Sequence, residues 1–116
     1  ARSASTNSAD FINYNHRGLV VLVNISAVAG DDTFTFTVEG KDPISGTYYQ
    51  LLQSAALATT GLRVYEVHPQ AGAAGGGVTA VANRLVPRTW RVTATYALVG
   101  GVADTLTFSV ATVLLL

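Results

Sequence analysis

Cysteine and methionine are both absent from this 116-residue chain, and lysine occurs once, at Lys41. Without cysteine there is neither a disulfide nor thiolate chemistry, and the redox compartment is not written in the sequence. Charge is scarce as well: charged residues make up 12%, against roughly a quarter in an average soluble domain. The seven basic and seven acidic side chains cancel, which removes any general electrostatic drive towards nucleic acid or anionic lipid. No apolar run approaches the roughly 20 residues of a spanning helix; the longest candidate, Gly18 to Ile25, is only strand length. The first eight residues carry no apolar stretch of the signal-peptide kind, and the small Ala1 fits removal of an initiator methionine from a product made in the cytoplasm. Helical periodicity never extends beyond a turn.

What is present is alternation. Thr33-Phe34-Thr35-Phe36-Thr37-Val38, Thr89-Trp90-Arg91-Val92-Thr93-Ala94-Thr95-Tyr96 and Thr105-Leu106-Thr107-Phe108-Ser109-Val110 each switch between polar and apolar at every step. A period of two places one row of side chains in a core and the other towards solvent or a partner. With 49% hydrophobic residues and one domain's length, the chain is expected to form a single two-layer core. Turn signals every 10 to 15 residues predict an all-β antiparallel sandwich or jelly roll over residues 16–116, preceded by an extended arm over residues 1–15.

Within that frame the expected strands cover residues 19–27, 33–39, 47–53, 62–68, 88–99 and 103–116, with a further short strand inside 78–86. The first is apolar on both faces in its first half, which predicts a strand covered on both sides, in the core or at an interface. Residues 54–60 read equally as strand edge or loop. The apolar phase slips between Val64 and Tyr65, as a β-bulge would make it. Residues 40–46 hold dense turn chemistry, Gly100-Gly101 a tight turn, and Gln70–Gly77 a flexible stretch of glycine and alanine. The closing Leu114-Leu115-Leu116 either completes the domain's own core or is buried against another subunit.

Reactive constellations do not emerge. His16 and His68 lack metal-ligand spacing, and Asp31-Asp32 is too sparse for a calcium loop, so no metal and no cofactor are expected. There is no Gly-x-Ser-x-Gly elbow, and the acids are scattered singly, mostly at turns; no catalytic residue is assigned and no enzyme is expected. Tyr48, Tyr49, Trp90 and Tyr96 could form a sugar-stacking platform, but Trp90 lies on the apolar phase of its strand, and adjacent Tyr48 and Tyr49 point to opposite faces. Candidate contact residues are Phe11, Ile12 and Tyr14, the only large apolar side chains of an arm that either frays or orders on a partner. Arg84, Arg88 and Arg91 around Pro87 are the others: ion-paired or solvated within the domain, or forked onto carboxylates of a neighbour.

Several segments in order resemble a family of small structural proteins of tailed bacteriophages. They are Asn15-His16-Arg17-Gly18 with Leu19 to Ile25, Val38-Glu39-Gly40-Lys41-Asp42-Pro43-Ile44-Ser45-Gly46-Thr47-Tyr48-Tyr49, Leu62-Arg63-Val64-Tyr65, Leu85-Val86-Pro87-Arg88-Thr89-Trp90-Arg91-Val92 and Thr107-Phe108-Ser109-Val110. The family is that of head-associated capsid decoration (cement) proteins. The resemblance implies a virion protein on the capsid exterior, made in the host cytoplasm, that binds the major capsid protein and reinforces the shell without catalysis. It also implies contacts with other copies of itself, as a trimer or as lattice neighbours, and no nucleic-acid or membrane partner. Deleting residues 1–12 is then expected to weaken capsid binding while leaving the domain folded. The stretch from Ala71 to Gly77 departs from the family pattern. Two rivals stand beside this reading: a phage tail or fibre adhesin, and a carbohydrate-binding β-sandwich module.

Overall fold

The alternating segments become strands, and among the described residues there is no helix. The computed structural model describes residues 4–13, 16–30, 32–69, 78–98 and 105–115. Nine strands run through them: β1 (Thr6–Asn7), β2 (Phe11–Ile12), β3 (Gly18–Ala29), β4 (Thr33–Lys41), β5 (Tyr48–Gln53), β6 (Gly61–Val67), β7 (Ala80–Ala82), β8 (Thr89–Ala97) and β9 (Thr105–Leu115). They form two sheets, one in the order β1-β8-β4-β5 with β2 also on β8, the other in the order β7-β6-β3-β9. The expected β-sandwich is what forms. One described pair departs from the antiparallel expectation: β7 runs parallel to β6, pairing Tyr65 with Ala80 and Val67 with Ala82. About a dozen residues separate the two strands, the length a parallel crossover needs.

The core is the set of inward rows. Leu19, Val21, Val23 and Ile25 of β3 face Phe34, Phe36 and Val38 of β4 and Trp90, Val92 and Ala94 of β8, all buried. Phe108 of β9 bridges the layers, its ring 5.1 Å from Phe34 and edge-on to Phe36 at 5.0 Å. Tyr96 closes the cluster 5.5 Å from Phe34, and its hydroxyl donates to the buried carboxylate of Asp32. The result is a slab of 43 × 36 × 17 Å, two layers thick and broad on both faces.

Irregularities occur where the sequence reading did not put them. β6 pairs with β3 in unbroken register, Leu22 with Val64 and Val21 with Tyr65, so the bulge expected there is absent. Val64 sits on the outward row beside Leu22 while Tyr65 is buried beside Val21, so two consecutive apolar residues serve opposite faces without a bulge. The register shifts instead between Val38 and Glu39, where β5 supplies Leu51 without a partner; this extra residue is why neighbouring Leu51 and Leu52 are both buried. A second shift lies between Ile25 and Ala27 on β3. Residues 54–57 continue along β4, where Phe34 and Leu57 exchange backbone hydrogen bonds of 3.0 and 2.8 Å. The turn over 42–46 is closed by Asp42, whose carboxylate accepts from the Ile44 amide and the Ser45 hydroxyl, with Gly46 at φ +76°. The expected loop at Gln70–Gly77 and the turn at Gly100-Gly101 lie outside the described residues.

Candidate interaction surfaces

The described residues of the arm lie along the domain's own β8. Thr6 and Asn7 pair with Ala94 and Thr93, and Phe11 and Ile12 with Trp90 and Thr89. Between them the Ser8 amide donates to the Val92 carbonyl and the Ser8 hydroxyl accepts from the Val92 amide. Asn13 ends the run by accepting from the His16 amide and donating to the carbonyls of His16 and Val86. Phe11 packs on Trp90 with centroids 4.8 Å apart, yet stays 41% exposed, as does Ile12. Tyr14 lies outside the described residues.

A polar network fastens this arm across the outer face of the sheet. Asp10 accepts from the Tyr48 hydroxyl at 2.7 Å and from Lys41 Nζ at 3.1 Å. Both contacts hold its carboxyl below the ordinary value of 3.8, the Tyr48 hydroxyl most strongly. Lys41 is in turn raised above 10.5, chiefly by its hydrogen bond to the Asp10 carboxylate. Arg91 lays its guanidinium 3.5 Å over the Tyr48 ring and pairs with Glu39 at 2.8 Å. Arg84 donates to the Gln50 carbonyl at 2.7 Å with its guanidinium 6.0 Å from the Tyr49 ring, while Arg88 is exposed. Two of the three arginines therefore have partners inside the domain. Nothing in the sequence marks Asp10 for these contacts; an Asx-type side chain before a loop is the available signal for Asn13.

The sugar-stacking platform comes apart. Trp90 is 2% exposed and Tyr48 is covered by Arg91. No group of three or more His, Asp or Glu side chains converges among the described residues.

The two broad faces differ in kind. On the β1-β8-β4-β5 sheet, cross-strand register aligns Thr35 with Thr95, Asn7 and Thr37 with Thr93, and Glu39 with Arg91 and Gln50, a polar face rich in threonine. On the β7-β6-β3-β9 sheet the outward rows are Val81-Glu66-Val20-Val113, Val64-Leu22-Ala111 and Leu62-Asn24-Ser109. Leu62 is 60% and Val113 52% exposed, and nothing described lies over them. This face explains three sequence features at once: the doubly apolar β3, the apparent phase slip in β6 and the apolar run in β9. Leu114 takes the other side, packed on the core.

The fold and these surfaces define a single-domain β-sandwich with one polar and one apolar broad face. No protein family, curated protein or solved structure matches the chain.

Proposed function

We propose that the protein is a structural binding module that adheres to the outer surface of a tailed-phage capsid lattice and stabilises it. The observation that carries this reading is the apolar outer face of the β7-β6-β3-β9 sheet, whose outward rows hold Glu66 as the one charged side chain among the described residues. A face that keeps Leu62 and Val113 more than half exposed gains free energy when covered, at about 25 cal/mol per Å² of apolar surface. A thin slab suits tiling on a shell, where many modest contacts add through repetition. The ordered resemblance to capsid decoration proteins supports a capsid shell as the surface and the major capsid protein as the partner.

The test is cosedimentation with capsids of the parent phage stripped of this protein. Leu62→Glu together with Val113→Glu should weaken saturable binding by about 30-fold or more, the scale of losing about 2 kcal/mol at an interface centre. Thr35→Glu on the opposite face should leave binding unchanged. Equal loss from both, or none from the first pair, would overturn the assignment of the face. Failure of the wild-type protein to bind shells at all would overturn the capsid reading.

A further inference from the structure

Sheet edges are where chains pair with one another, and this molecule treats its edges unequally. β7 has three residues, and β1 and β2 have two each, interrupted by Ser8–Asp10. The outer strand β5 is bulged at Leu51 and has its Gln50 carbonyl capped by Arg84. Short strands, bulges and caps are the usual devices against edge-to-edge pairing. β9 has none of them. It runs eleven residues from Thr105 to Leu115 without a charge, a proline or a glycine. Its bulge with β3 is taken up on the β3 side at Ser26, so β9 itself is continuous. Among the described residues nothing pairs with its far edge, which presents every second N–H and C=O to solvent.

We infer that β9 is a self-pairing edge: two copies of this chain join antiparallel along β9 about a two-fold axis perpendicular to the sheet. A second copy is the occupant because edge pairing needs two long free edges without charge, and among the described residues β9 is this chain's one such edge. Antiparallel pairing of identical strands brings no like charges together, since neither strand has any. The join turns two four-stranded sheets into one of eight strands. It also places both copies' Leu22, Leu62, Val64 and Val113 on the same side, doubling the apolar face. On the inner side the same edge borders an open cleft of about 290 Å³ between the layers, lined by Phe11, Phe36, Val92, Phe108 and Val110 among others, which the second copy's inward row would meet. Eleven residues at about 3.4 Å each cover roughly 400 Å² per copy, about half of a standard interface, so the pair is weak and rapidly exchanging when free. This inference stands independently of the capsid reading.

The absence of cysteine makes the test clean. Single substitutions Ser109→Cys, Val110→Cys, Ala111→Cys, Thr112→Cys and Val113→Cys all fall at exposed positions of β9. A perpendicular two-fold makes one residue face its own copy, about 5 Å away between Cα atoms, within disulfide reach. A residue two positions along lies about 14 Å from its copy, beyond reach. Oxidation at high protein concentration should give disulfide dimers peaking at one position, at least tenfold above Thr95→Cys on the polar face. Adding Ala111→Lys to the peak variant (Ser109→Lys if the peak is Ala111) should cut that yield to the Thr95→Cys background, with the circular dichroism melt unchanged. A flat profile at background, or two separated peaks, would overturn the self-pairing.

Discussion

Asp10 joins what the chain separates. It lies between two short arm strands and reaches Lys41 and Tyr48 on β4 and β5, so its ionisation is linked to arm docking. A carboxyl held below 3.8 contributes stability that is complete above that value and is lost as pH falls through the lowered one. Lys41, raised above 10.5, contributes below that value and loses its contribution as pH rises through the raised one. Arm docking should therefore be flat with pH between these limits and weaken only below the ordinary carboxylate range or above pH 10.5. Tyr48 ring shifts followed by NMR should show one transition below pH 3.8; loosening near pH 5 or 6 would contradict the linkage. Gly18 acts through space. A Cβ there would fall on the Val67 carbonyl oxygen and within 2.8 Å of the His68 side chain. Gly18→Ala should cost about 1–3 kcal/mol, read from the urea midpoint, because a backbone atom has to move. At this scale the sequence was only partly legible. Trp90 declared itself core by its phase, but nothing local said that Arg91 would find Tyr48 or that Asp10 would bridge to β5, contacts made between distant segments.

Elements were more legible than their joins. Alternation placed β4, β8 and β9 within a few residues, because a period of two is a property of the strand itself. Bulges were misplaced for a physical reason: a doubly apolar strand and a phase slip look identical along one chain, and only the partner's register separates them. β6 is the first case, and β5 at Leu51 the second. The arm has a consequence for truncation. Residues 5–13 cover the β8 edge and one side of Trp90, so removing residues 1–12 strips contacts from the domain as well as from any partner. The truncated protein should fold with its stability lowered by about 2–6 kcal/mol, the sum of an aromatic pair and about three net hydrogen bonds. Chemical denaturation reads this directly; an unchanged midpoint would mean that the arm contributes nothing to the domain.

Across the whole molecule the governing feature is the contrast between its broad faces. Threonines, an ion pair and the Asp10 network occupy one; valines and leucines of β3, β6 and β9 occupy the other. Sequence could announce a second apolar row, since β3 is apolar on both sides, but could not say whether that row met a third layer or was left open. Among the described residues nothing covers it, and Leu62 and Val113 stay exposed. Adhesion through that face is read out by cryo-EM of stripped capsids resaturated with the protein. Copies are expected at one repeated lattice position with Leu22, Leu62, Val64 and Val113 against the shell and the threonine face outward. A map with the threonine face against the shell, or shells carrying no copies, would contradict it.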